Sequence, residues 1–215
     1  MKNTFLNECL LGEIAQHDAN VFSEFRIGDA LADLAAFNGS SKVFEIKTEL
    51  DSDNRLASQL HNYKKAFNEI YLIVPEAKLL FYSKYEKQAG LISYNLRNEK
   101  KFNIERHPIP NYAVDSDSIM NILHTAEYRA LIWDYFGEVG KMTSFNQFEI
   151  CKELLRKIPV ETLNFLFITY MKKRKIHMGL SKKSFKEFNQ LSLALKLDRQ
   201  QRNDLMENLN TPITQ

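Results

Sequence analysis

The chain has 215 residues, of which 44% are hydrophobic and 12% aromatic, enough for a sizeable core and too apolar for a disordered segment. Its 29 basic and 27 acidic side chains nearly cancel, so bulk charge does not mark a nucleic-acid or membrane-surface binder, and such contacts have to come from local patches: Lys64 and Lys65, Arg97 to Arg106, or Lys172 to Lys175. Two distant cysteines exclude a disulfide framework, the seven glycines form no phosphate-cradling loop, and no signal peptide or apolar run long enough for a membrane span is evident, so the chain reads as cytoplasmic with no membrane partner.

In chain order, residues 3–17 place Phe5, Leu6, Cys9, Leu10 and Ile14 near helical spacing. Residues 21–27 are β-prone and alternate weakly, which predicts a strand. Strands over 31–37 and 42–49 flank an Asn38-Gly39 turn, where positive φ is tolerated, and so form a hairpin. Asp51 and Asp53 are N-cap candidates for a helix over 53–68, whose apolar stripe is Leu56, Leu60, Tyr63 and Phe67. A buried-type strand over 70–75 stops at Pro75, a short element occupies 76–88, and two more strands follow within 90–95 and 101–110. The order α-β-β-β-α-β-(α)-β-β is that of an α/β fold. The stiff His107-Pro108-Ile109-Pro110 segment reads as a boundary, giving an α/β domain over 1–112 and an all-α C-terminal region over 113–215. Helices are predicted there at 116–136, 145–157, 160–174, 182–196 and 198–208, with Trp133, Tyr128 and Phe136 read as core.

The hairpin carries the chemistry. Side chains alternate along a strand, so Glu45 and Lys47 share one face while Phe44 and Ile46 take the other. Where Asp33 points depends on the loop. A three-residue loop pairs Phe37 with Ser41 and sets Asp33 opposite Glu45, whereas a two- or four-residue loop separates them. The three-residue loop, a common hairpin type, is the reading adopted. Opposed carboxylates repel, and a hard divalent cation, Mg²⁺ or Mn²⁺, would offset that cost. Lys47 would then stand beside the cation and its water, where an ammonium can orient the attacking water and balance phosphate charge. The five histidines lack ligand spacing, which argues against zinc.

With these residues in place, D-LAAFNGSSKVF-E-I-K resembles the PD-(D/E)XK nuclease signature: an acid on one strand, then E-x-K on the next. The stretch that follows is similar to a group of small, mostly uncharacterised bacterial and phage proteins of that superfamily, with an Asp-rich loop and then R-L-x-x-Q-x-x-x-Y at Arg55, Leu56, Gln59 and Tyr63. The resemblance covers residues 21–110, and Ala32 stands where the signature's name has proline. It implies a restriction-endonuclease-like core with a mixed sheet flanked by helices, and Mg²⁺-dependent phosphodiester hydrolysis. It further implies Asp33 and Glu45 as metal ligands, Lys47 as the catalytic lysine, Gln59 as a supporting helix residue, and an additional upstream acid, Glu24 first and Glu13 second. Arg55 and Lys64 are the substrate-binding candidates, and Tyr63, on the apolar stripe, reads as core.

The expected function is therefore a metal-dependent endonuclease acting on DNA, with RNA less favoured, in a defence, repair or mobile-element setting. The alternative is a non-catalytic module that uses the same fold to hold nucleic acid or a partner protein. In both readings the C-terminal helices are candidates for partner binding, a homodimer contact or a substrate clamp.

Overall fold

The computed structural model describes residues 1–12, 19–174 and 185–210. Glu13, His17, Lys175, His177 and the start of the helix expected at 182–196 lie outside them. The chain opens with a short helix α1 (Lys2–Phe5) that runs into a π-helical turn (Leu6–Leu10). Strands β1 (Asn20–Ile27), β2 (Ala30–Phe37) and β3 (Ser41–Ile46) follow, then helix α2 (Leu56–Lys64) and strand β4 (Glu69–Pro75). A 3₁₀ turn (Glu76–Lys78) leads into α3 (Leu79–Tyr82), and β5 (Gly90–Tyr94) and β6 (Phe102–Arg106) complete the sheet. Beyond it lie α4 (Ser116–Ile122), α5 (Thr125–Phe136), α6 (Gln147–Leu155), α7 (Val160–Lys173), α8 (Asn189–Ala194) and α9 (Arg199–Asn210).

Among the described residues the six strands lie side by side in chain order, β1-β2-β3-β4-β5-β6. β1, β2 and β3 are antiparallel, β3, β4 and β5 parallel, and β6 antiparallel again. The fold is α/β, with a mixed sheet flanked by helices. The parallel pairs require crossovers, which α2 and the 76–82 segment supply. The expected order of elements along the chain and the three-residue hairpin loop both hold: Phe37 pairs with Ser41, with Gly39 at φ +108 in the loop between them.

Both faces of the sheet are covered, which explains the unbroken apolar run of β4. On one face, Val43, Leu72 and Leu91 pack with Leu56, Leu60 and Tyr63 of α2, and with Ile119, Leu131, Leu155 and Phe167 of the later helices. On the other, Phe44, Ile46, Tyr71 and Ile73 pack with Phe5, Leu6 and Leu10, and with Leu193 of α8. The sheet and the helical region therefore share one apolar core. Asn68, 2% exposed, reinforces the junction, because its side-chain amide donates to the Asn111 carbonyl at 2.9 Å and to Asn164 Oδ1 on α7 at 3.2 Å.

Three expectations change. The helix expected over 116–136 is two helices, α4 and α5, broken where Leu123 is extended and His124 starts the next helix, with the Glu127 carboxylate accepting the His124 N–H at 2.7 Å. Asp51 does not cap α2. Its Oδ2 accepts from the Thr48 N–H at 2.6 Å and the Thr48 hydroxyl at 2.7 Å, which closes the loop after β3, while Arg55 occupies the cap position. Trp133 is 55% exposed rather than core, although Tyr128 is buried. No helix among the described residues is long and apolar enough to cross a membrane.

A carboxylate and lysine cluster where two strands part

The β2–β3 ladder ends at Leu34 and Phe44, one residue short of setting Asp33 against Glu45. The reason is visible at Ile46. The Lys47 N–H points to β4 and donates to the Ile73 carbonyl at 2.8 Å, so the Ile46 N–H points to β2. A continuing ladder would meet it with a main-chain carbonyl; Asp33 Oδ2 accepts it instead, at 2.8 Å. A side chain thus replaces a backbone rung, and the strands part there.

Glu45 and Lys47 lie on the face toward α2, as their alternation with Phe44 and Ile46 requires. Both are nearly enclosed, at 4% and 6% exposed, and buried charges persist only when paired and hydrogen-bonded. Lys47 Nζ lies 2.8 Å from Glu45 Oε1 and donates to Gln59 Oε1 at 3.1 Å. Gln59 Nε2 closes the triangle by donating to Glu45 Oε1 at 2.8 Å. The Tyr63 hydroxyl donates to Glu45 Oε2 at 2.6 Å. Gln59 and Tyr63 are four apart on α2, so one helical face presents both.

Tyr63 is the residue that the sequence pattern assigned to the core alone. It is fully buried, yet its phenol is part of the Glu45 shell. Burial first, and the Glu45 charge second, push its pKa far above the ordinary value, so the hydroxyl remains a donor. An unfolded tyrosine ionises near pH ~10, whereas this one keeps its proton. Its contribution to stability is therefore complete below that pH and declines as pH rises beyond it. Tyr82, Tyr94 and Tyr170 are shifted in the same direction. Urea midpoints followed from about pH 9 to 11 are expected to fall in the wild type and to fall less steeply in Tyr63→Phe; equal slopes would show that this phenol ionises normally.

Asp33 faces a second cation. Lys2 Nζ on α1 is 2.8 Å from Asp33 Oδ1 and 4.0 Å from Glu24 Oε1. Glu24 sits on β1 at φ +54, a conformation uncommon for a side chain other than glycine, and it is skipped in the β1–β2 ladder between Ser23 and Phe25. Lys2, outside the sequence-derived set, is the link between these two acids, and nothing in the spacing of a residue so far upstream signals it.

The remaining candidates lie apart. Arg55 is exposed at the start of α2, one turn before Gln59. Lys64 pairs with Glu86, and its carbonyl accepts from Asn111 Nδ2 at 2.7 Å, away from the Glu45 cluster. Of the basic patches, Arg106 donates to the Ala89, Ser83 and Glu86 carbonyls, and Lys101 pairs with Glu8. Arg174 Nε donates to Glu127 Oε1 at 2.7 Å, and Lys173 lies over the Tyr170 ring at 4.4 Å, so these two cations are committed to α5 and α7.

The donor chemistry suits a hard divalent cation. Asp33 and Glu45 offer carboxylate oxygens only, and a carboxylate has about four lone-pair positions. Glu45 uses three of them and Asp33 two, counting Lys2. Among the described residues no group of three or more His, Cys, Asp or Glu is arranged to hold a metal, so a cation here would complete its shell with water or substrate oxygens.

Among solved structures, the chain resembles the SPO1766 protein of unknown function from Silicibacter pomeroyi, at 13% identity over 60% of this chain and 89% of that one. The TM-score is 0.38, and the likeness carries no argument. "Protein cII" of Enterobacteria phage P4 is 30% identical over 84 residues, which span 38% of this chain and about a third (32%) of that protein's length. The model of the family described as Bacteriophage P4 protein cII matches residues 1–205, so the chain belongs to that family.

Proposed function

We propose that this protein is a metal-dependent nuclease of the PD-(D/E)XK type that hydrolyses phosphodiester bonds, with DNA as the favoured substrate. The observation that carries the reading is the enclosed Glu45–Lys47–Gln59 triangle on β3 and α2, next to the point where β2 parts from β3 and the Asp33 carboxylate takes the Ile46 N–H. Membership in a phage protein family supports a mobile-element setting.

In this reading Asp33 and Glu45 hold Mg²⁺ or Mn²⁺, which when bound polarises the phosphodiester and lowers the pKa of its water. Gln59 holds both members of the Glu45–Lys47 pair with one amide, fixing the ammonium in place. Lys47 then offsets charge that builds on the phosphate oxygens, in an environment dry enough for that charge to count. Tyr63 holds the second Glu45 oxygen, and so fixes which oxygen edge remains for a ligand. Glu24 completes the acidic rim next to Asp33.

The test is plasmid cleavage with Mg²⁺ or Mn²⁺, with and without EDTA, on wild type and Asp33→Asn. The substitution keeps an oxygen for the Ile46 N–H. Cleavage is expected to be abolished by EDTA and to fall about a hundredfold or more in Asp33→Asn. Failure of the wild type to cut DNA or RNA with either metal would sink the enzyme reading. The second reading, a non-catalytic nucleic-acid or partner-binding module, would then stand. The near-complete enclosure of the Glu45–Lys47 pair favours it, because that pair also acts as a buried structural ion pair.

A further inference from the structure

We infer that Lys2 is a functional residue of this site: its ammonium acts as the protein's own counter-cation to Asp33 and Glu24, and a divalent cation must displace it to ligate Asp33. The inference rests on the metal-dependent reading above and extends it to a residue that no sequence signature marks.

The geometry is specific. Lys2 Nζ lies 2.8 Å from Asp33 Oδ1, on one of the two carboxylates assigned to the cation, and 4.0 Å from Glu24 Oε1. Its side chain and that of Asp33 are both about three-quarters enclosed, at 24% and 25% exposed, so solvent screens the pair only partly. The helix that carries Lys2 is held in place. The Phe5 ring centroid lies 5.2 Å from that of Phe44 on β3 and 5.3 Å from that of Phe102 on β6, and Leu6 is fully buried. Asn3 and Asn7 both donate to the Lys186 carbonyl, at 3.1 and 2.8 Å. The ammonium is thus delivered to Asp33 from the sheet face opposite to Gln59 and Tyr63.

Two cations cannot sit against the same carboxylate oxygen without repelling each other. Lys2 is compatible with Asp33 and Glu24 while no metal is bound, because it relieves their mutual repulsion, and its charge opposes a metal ion that ligates Asp33. Loading the site therefore frees Lys2. An incoming phosphate would give the released ammonium a new partner.

Calorimetric titration of Mn²⁺ into the full chain without nucleic acid tests this on wild type, Lys2→Met and Lys2→Arg. Far-UV circular dichroism establishes that each variant is folded. Lys2→Met is expected to bind Mn²⁺ about tenfold more tightly than wild type, the scale on which one adjacent charge shifts a carboxylate. Lys2→Arg, which retains the charge, should stay close to wild type. Equal affinity in wild type and Lys2→Met, or weaker affinity in Lys2→Met, would overturn the role of Lys2 and leave the metal-dependent reading intact. Absence of Mn²⁺ binding from all three would overturn both.

Discussion

Replacing Lys47 with methionine is expected to destabilise the fold by about 3–5 kcal/mol, because it leaves Glu45 as an uncompensated buried charge. Glu45 is 4% exposed, and its surviving partners, Gln59 and Tyr63, are neutral donors. The double variant Glu45→Met, Lys47→Met is expected to regain more than half of that loss, since removing both charges also removes the desolvation cost. Gln59 is not fully buried and can turn to solvent, while the Tyr63 hydroxyl still has the Leu31 carbonyl at 3.4 Å. Urea unfolding of the three proteins measures this. A single-variant loss below about 1 kcal/mol would mean that the pair behaves like a surface ion pair, and that the enclosed site is a wrong description.

The second large effect concerns the junction between sheet and helices. Phe167 on α7 is fully buried, with its ring 5.6 Å from that of Phe37 on β2 at an interplanar angle of 89°. Phe167→Ala should cost about 3–5 kcal/mol, combining lost burial with the cavity left behind. The chain's one tryptophan, Trp133 on α5, makes the test informative. If the shared core couples the two regions, Trp133 fluorescence and far-UV circular dichroism shift together and remain coincident. Two separated transitions in the wild type would show that the helical region unfolds by itself.

Much of this architecture was legible from local chemistry. Asn38-Gly39 announced the hairpin, and the three-residue loop fixed the Phe37–Ser41 register, although the ladder stops at Leu34 and Phe44, before Asp33 and Glu45 pair. Period-two alternation put Glu45 and Lys47 on the face where α2 lies, and the four-residue spacing of Gln59 and Tyr63 put both on one side of that helix. What could not be read depended on tertiary approach. Tyr63 sits on an apolar stripe, and only the packing of α2 on β3 aims its hydroxyl at Glu45. Lys2 reaches Asp33 because Phe5 and Leu6 dock on the far face of the sheet, a contact between segments distant in the chain. The break before α5 was hidden because the apolar rhythm of Ile119, Ile122 and Leu123 carries on through Tyr128 and Leu131, and histidine is not among the preferred helix-capping residues. The basic run from Lys172 was a candidate patch for nucleic-acid contacts, and it can equally serve as a cationic helix end. Its partners on α5 favour the second.

The rung that Asp33 supplies to Ile46 has a consequence for studying this molecule. Most amides of the sheet are held by carbonyls, which have no protonation state and no affinity for added ions on this scale. The Ile46 amide is held by a carboxylate, so its resonance frequency and its rate of deuterium uptake are tied to whatever that carboxylate binds. It is a spectroscopic handle on Asp33 built into the backbone, and the adjacent Lys47 amide, anchored on the Ile73 carbonyl, is its internal reference.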